Sequence, residues 1–221
     1  MKSRREFLSQ VLAAGGTGML WQRALAAGNN PVPPGFQRLV GQVTLNGQPA
    51  REGQLVRPGD RISTGPGAAA IYVVGQDAFL QRENTRVNFG DTASAAFLRV
   101  LTGKLMSVFG RGDKKIQLST ATIGIRGTGC YIEEPAEGSR DPSYFCLCYG
   151  VADVVPDAAP SKAERIVTSH HDHPVYIHPD PAMPTMMVTA PVRNHYDAEL
   201  VMLENLMGRW PPFYGKTGNK Y

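Results

Sequence analysis

The chain has 221 residues, 23 Lys/Arg against 19 Asp/Glu for a formal charge of +4, and 24 glycines with 17 prolines. So many turn formers between short apolar runs argue against a helical protein. No apolar run reaches the ~20 residues that a membrane-spanning helix needs, and the length suffices for one substantial core with an appendage.

Residues 1–26 read as an export signal. Lys2, Arg4 and Arg5 precede a modest apolar run from Val11 to Trp21, and Ala24-Leu25-Ala26 has the small-x-small form of a cleavage site. Ser3-Arg4-Arg5-Glu6-Phe7-Leu8 resembles the bacterial twin-arginine pattern. That resemblance implies delivery of an already folded protein to the periplasm, often with a cofactor acquired beforehand. Removing 1–26 takes away four Lys/Arg and one Glu, leaving 19 basic against 18 acidic residues. The positive balance therefore belongs mostly to the signal. What remains has no basic surplus to hold a phosphate backbone, so nucleic acid is not an expected partner, and no membrane span is expected after signal removal.

Residues 27–38 ("AGNNPVPPGFQR") form a proline-rich linker. From 39 to 155 the pattern is brief β-branched and aromatic runs separated by Gly, Asn or Asp, such as "DRISTG", "AAIYVVG", "TRVNFG" and "YFCLCYGVADVV". Such spacing predicts an all-β domain. Asn46-Gly47 is a strong short-hairpin signal, because a type I′ turn needs two positive φ angles. Residues 156–193 hold one more strand ("RIVTS"), a histidine-rich segment and a proline-rich extended segment. In 194–221, Leu200, Leu203, Leu206 and Met207 recur at helical spacing. Asp197 can cap that helix, Gly208 ends it, and Pro211-Pro212 forbid continuation. The fold class is thus mainly β, a compact sandwich or roll of short strands, with one C-terminal helix and a loose tail.

"VGQVTLNGQ", "VRPGDRISTGPGAAA", "LTGKLMSVFG", "LSTATIGIRGTGCYIE" and "CYGVADVV" occur in that order between Val40 and Val155. This series resembles the FecR-like domain family. The resemblance implies a compact extracytoplasmic β domain used for binding or signalling and not known for catalysis. The regulators of that family carry a cytoplasmic helical segment and a membrane span ahead of the β domain, where this sequence has a signal, so direct transmembrane signalling and iron-citrate regulation do not carry over. The "CYG", "HHD" and "NHYDAELVMLENLMGRWPPF" segments also look like those of exported FecR-domain proteins of this length. Within "GIRGTG" the alternating Gly124, Gly127 and Gly129 permit close backbone approach in a turned strand, and Arg126 is read as a core arginine or an anion contact.

Two clusters carry the possible chemistry. Cys146 and Cys148 share one face of a strand at a separation too wide for a mutual disulfide. Cys130 on the preceding strand joins them if it lies opposite 146 or 148. The cysteines then allow one disulfide plus a buried thiol, a metal-binding thiolate pair, or three unbonded core residues. "SHHDHPVYIHP" holds His170, His171, His173 and His178, four of the five histidines, and is either a solvated turn or a ligand source. An extended chain places His171 and His173 on one face and His170 on the other, with Asp172 available to orient a ring. His195 at the helix entry is a further candidate. The candidate metal ligands are therefore Cys146, Cys148, His170, His171, His173, Cys130 and His195, a set suited to zinc, or to copper where the site is softer. No haem-attachment, metalloprotease or nucleophile-elbow motif occurs, and no acid–base pair stands out.

The reading that follows is an exported periplasmic FecR-like binding or sensing module, holding a metal through the Cys-x-Cys and histidine cluster. The alternative is a disulfide-stabilised interaction module without metal that binds an envelope protein or polysaccharide. A metal-dependent enzyme is a third possibility, favoured by an open coordination position and opposed by a closed one.

Overall fold

The computed structural model describes residues 30–91 and 97–215. The signal predicted over 1–26 and the last residues of the tail lie outside the described residues. The strands are β1 (Gly35–Val40), β2 (Val43–Leu45), β3 (Gln48–Pro49), β4 (Arg61–Thr64), β5 (Ala69–Val74), β6 (Asp77–Gln81) and β7 (Arg86–Phe89). They continue with β8 (Leu98–Val108), β9 (Asp113–Gln117), β10 (Ala121–Glu134), β11 (Ser143–Pro156), β12 (Glu164–Thr168), β13 (Val175–Ile177) and β14 (Met187–Thr189). Helix α1 spans Asp197–Leu206. The mainly β class with one C-terminal helix holds among the described residues. Two details differ from the sequence reading: β1 starts within the segment predicted as linker, and the proline-rich stretch contributes β14, which pairs with β13 through Val175↔Thr189.

All strands join one sheet, and three long ones organise it. β8, β10 and β11 each change partners halfway. The first half of β10 lies between β9 and the end of β11, and its second half lies between β8 and the start of β11. The sheet thereby wraps around an inner core that includes Phe36, Ile62, Tyr72, Phe79, Leu105, Ile132, Phe145 and Leu147. At the other end, Asn46 and Gly47 take φ of 54° and 79° and close the β2–β3 hairpin, as the Asn-Gly pair predicts.

Burial along β10 and β11 records which parts are covered twice. Residues 121–125 and 150–156 alternate between buried and half-exposed, the mark of a sheet with one face in water. Residues 128–134 and 143–149 are buried at every position. There one face, bearing Cys130, Ile132, Phe145 and Leu147, looks into the inner core, and the other face, bearing Met106, Val108, Tyr131, Tyr144, Cys146 and Cys148, packs under Leu200, Leu203 and Leu206 of α1. Arg126, on the once-covered half, is neither a core residue nor poised for a ligand. It is exposed and pairs with Asp113 at 2.6 Å.

The doubly covered region contains a β-bulge. Gly129 pairs with Tyr149 and Cys130 with Leu147, so Cys148 is the extra residue, and Cys148 and Tyr149 both reach the α1 side. The Tyr149 ring lies over Gly129, where an added Cβ would stand 2.4 Å from it. The Tyr149 hydroxyl is held by Glu204 of α1, which prevents the ring from swinging clear. Gly129→Ala is therefore expected to cost about 1–3 kcal/mol by overpacking. An unchanged urea midpoint for that variant would contradict this packing.

Candidate metal centre

Three segments far apart in sequence supply the site. β11 brings Cys146 and Cys148 to the face under α1. The chain leaving β12 is docked on β11 by Thr168 Oγ1 donating to the Leu147 carbonyl at 2.8 Å and His171 N–H donating to the Cys148 carbonyl at 2.9 Å. His171 takes the left-handed conformation (φ 53°), which turns its ring in toward the cysteines. Asp172 does not orient a ring, as its position suggested. Its carboxylate caps this turn, accepting from Ser169 N–H and hydroxyl at 2.8 Å and from His170 N–H at 3.1 Å.

The third segment is the arm that enters α1. Glu133 at the end of β10 accepts from Arg193 Nε at 3.0 Å, from Asn194 Nδ2 at 2.5 Å and from the Tyr131 hydroxyl at 2.8 Å. Asn194 turns through a left-handed φ of 59°, and His195 lands on the Tyr131 ring with centroids 4.5 Å apart. The helix follows at once. Its capping residue is Tyr196 and not Asp197: the Glu199 carboxylate reaches back to the Tyr196 N–H at 3.0 Å. Asp197 is left free to face the histidines.

The result is a buried cluster. Cys146 Sγ lies 3.5 Å from His171 Nδ1, and His195 Nε2 lies 3.0 Å from the same nitrogen. With Cys148 Sγ, these ligand atoms are all within 4.8 Å of one another. Cys146 and Cys148 are 0% exposed, and His171 and His195 are 3% exposed. A zinc tetrahedron with two sulfur and two nitrogen ligands sets its donor atoms about 3.3–3.8 Å apart. The far nitrogens of both rings are already engaged: His195 Nδ1 meets the Arg193 carbonyl at 2.7 Å, and His171 Nε2 meets Asp197 Oδ1 at 3.0 Å. Donation to those oxygens puts each ring's N–H on the far side and leaves a lone pair on the near side, the tautomer that metal-ligating histidines adopt. His171 Nδ1 also meets Cys146 Sγ, and two ring nitrogens 3.0 Å apart with their lone pairs facing need a proton or another cation between them. A proton on His171 supplies it, and a bound metal ion would do the same.

The titration of the thiols fits the same picture. The hydrogen bond from Cys148 draws the Cys146 thiol well below its usual range against the effect of burial, helped by His171 and His195. Burial pushes Cys148 well above that range, reinforced by the negative charge on Cys146. Burial works to lower the basicity of His171, but contact with Cys146 and Asp197 outweighs it and raises it. The pair thus holds one thiolate facing one proton-rich imidazole, and metal capture would release the remaining protons. Cys146, His171 and Asp197 also fall in the order of a nucleophilic triad. Cys146 is fully buried, however, out of contact with solvent.

Two predicted ligands, Cys130 and His173, stand apart, and His170 falls instead in a second group with His171 and Asp197, whose ligand atoms also lie within 4.8 Å of one another. Cys130 pairs with Leu147, not with 146 or 148, so it points into the inner core on the opposite face of the sheet. All three cysteines are free thiols, and a disulfide between Cys130 and either partner is blocked by that register. His173 is exposed, because the turn at His171 breaks the extended geometry that would have aligned the two. His170 meets both Asp197 oxygens at 2.9 Å and stacks on Phe213 with centroids 4.2 Å apart, placing it behind the cluster. Asp197, Glu133, Arg193 and Asn194 are the participants that sequence reasoning missed. The acidic residue two positions after His195 was their one local signal.

No protein-family model matches the chain, and no curated protein matches it. Two crystal structures, at 2.50 and 1.65 Å resolution, are similar to it in part. Both are of a protein from Parabacteroides distasonis ATCC 8503 described as a "putative anti-sigma factor". Each aligns at a TM-score of 0.47 and 10% identity over 59% of this chain and 58% of that one. The chain thus spans less than two thirds of the length of these neighbours. A likeness of that extent identifies neither a family nor an activity.

Burial tends to raise the pKa of Glu133, but the donors Arg193, Asn194 and Tyr131 together lower it below the ordinary carboxylate value. A carboxylate with a depressed folded-state value contributes stability above its unfolded value and loses it as pH falls through the folded one. Glu133→Gln should therefore lower Tm at pH 7, and the gap to the parent should close toward pH 3. A gap independent of pH would remove Glu133 as the anchor of the His195 arm.

Proposed function

We propose that this chain is an exported, FecR-like binding and sensing module that holds one thiophilic metal ion, best matched by zinc, through Cys146, Cys148, His171 and His195. The observation that carries the reading is the convergence of two buried sulfurs and two imidazole nitrogens whose far nitrogens are pinned by acceptors. Two thiolates and two neutral imidazoles neutralise a divalent ion, which suits a site shut off from water. A closed set of four protein ligands fits a structural or sensing role and leaves no position for a substrate. When bound, zinc would supply a cross-link and no redox chemistry.

The consequence for this chain lies in what the ligands tie together. Cys146 and Cys148 belong to the sheet, His171 to the turn after β12, and His195 to the arm of α1. Metal occupancy would therefore be reported by how firmly α1 sits on the outer face of the sheet, where β6 and β8 lie nearest to it. Export and periplasmic location rest on the Arg4-Arg5 pattern and the Ala24–Ala26 site, and the FecR-like assignment rests on the ordered motifs between Val40 and Val155. The free thiols and their register disfavour the disulfide-stabilised alternative.

Elemental analysis of protein purified without added metal is expected to find about one zinc per chain. The Cys146→Ser/Cys148→Ser variant should carry none while keeping its β circular dichroism. A sub-stoichiometric metal content, unchanged in that variant, would defeat the proposal. Removal of the metal by a chelator should raise hydrogen exchange in residues 193–207 and leave β4–β7 protected. Asp197→Asn, which weakens the acceptor behind His171, should reduce metal affinity about 10–100-fold. An affinity equal to the parent's would mean Asp197 has no part in the site.

A further inference from the structure

A second feature lies on the outward face of β2, β4, β7 and the first part of β8. Alternation along these strands sends Val43, Leu45, Ile62, Val87, Phe89, Leu98 and Val100 into the inner core and leaves their neighbours outside. An open groove of about 670 Å³ runs over that face, lined by Thr44, Asn46, Arg61, Ser63, Arg86 and Asn88, with Leu101 as its apolar contributor. An adjoining hollow of about 350 Å³ shares Thr44, Ser63 and Arg86 with it.

Strand register fixes the pattern of charge. Arg61 sits across from Asn88, and Asn88 sits across from Arg99, while Ser63 lies between Thr44 and Arg86. One strand spacing combined with two residues of rise separates Arg61 from Arg86, and two strand spacings separate Arg61 from Arg99, so the Cα atoms are about 8–10 Å apart. Among the described residues no ion pair holds Arg61, while Arg99 lies within electrostatic reach of the buried Glu134. Arg86 meets Glu137 at 2.6 Å, but both side chains are about half exposed or more (48% and 63%), where such a pair is weak and readily exchanged. The nearby Asp60 is satisfied, accepting from Asn46 Nδ2 and the Arg57 N–H at 2.7 Å each.

We propose that this groove binds a polysaccharide bearing carboxylates, a chain of uronate sugars. Guanidinium forks match carboxylates in pairs of hydrogen bonds. Hydroxyl and amide side chains between the forks match sugar hydroxyls. Cations spaced by a sugar ring or two suit a polymer of low charge density better than a single compact anion. The lining includes no aromatic ring on which a neutral sugar or a base could stack. The inference is independent of the metal centre.

The test is titration calorimetry of the full mature chain with alginate oligomers, dextran oligomers of equal length and polyphosphate. Alginate is expected to bind and dextran is not. Arg61→Ala and Arg86→Ala should each weaken alginate binding about tenfold, with Tm within error of the parent because both side chains are exposed. Absence of alginate binding, equal binding of dextran, tighter binding of polyphosphate, or unchanged affinity in folded arginine variants would each overturn the proposal.

Discussion

At the centre of the outer layer, His171 Nδ1 and His195 Nε2 stand 3.0 Å apart, each on a ring whose other nitrogen is already committed. Two lone pairs cannot share that space without a cation, and the surroundings are arranged to keep both rings there. Asp197 holds one ring and the Arg193 carbonyl holds the other. Glu133 holds Arg193 and Asn194, and Tyr131 supports His195 from below through a stacked contact. Removing the cation requirement would leave these anchors stabilising a repulsive contact. Much of the polar network between Glu133 and Asp197 is explained by that one pair of nitrogens.

The pair can exist only because β10 and β11 are covered on both faces. A sheet with one wet face would expose Cys146 and Cys148 to water and oxidants. α1 prevents this by burying Leu200, Leu203 and Leu206 against Met106, Val108, Tyr131 and Tyr149. Each such side chain contributes roughly 1.5–3 kcal/mol at most, enough to dock a ten-residue helix that would not persist alone in water. Apolar burial alone does not select one rotation of the helix over its neighbours. The ion pair of Arg82 with Glu199 at 2.6 Å and the bond of Glu204 to Tyr149 fix its placement, and the bonds of Glu133 to Arg193 and Asn194 fix the arm leading into it.

The strands were legible in the sequence because their period-two burial and turn residues are local signals. The helix was legible from Leu200, Leu203 and Leu206 for the same reason. Cys146 and Cys148 could be placed on a common face by strand geometry, and the structure keeps them there despite the bulge at Cys148. What could not be read was register and local handedness. Cys130 lies across from Leu147 because of the bulge, and one residue of slip would have reversed its face. His171 enters the cluster and His173 leaves it because a single non-glycine residue adopts positive φ, a choice imposed by the bonds that dock its turn on β11. The same limit separated Asp197 from its role: local pattern assigned it to capping, whereas Tyr196 and Glu199 perform that task.

The proposed ligands come from positions 146, 148, 171 and 195, so no short segment could hold a metal before the sheet has formed and α1 has closed. A chain entering an oxidising compartment unfolded would present its thiols to oxidants before they reached shelter, and Cys130 would be free to meet either partner. A chain that folds first has Cys130 and the Cys146–Cys148 pair already on opposite faces of β10 and β11, beyond disulfide reach, with the latter two buried under α1. The proposed folded export and the proposed metal centre therefore support each other through one physical circumstance: the site is protected only when complete. The Arg4-Arg5 pattern and the buried sulfurs lie at opposite ends of the argument from sequence to site, and the order of folding and transport is what connects them.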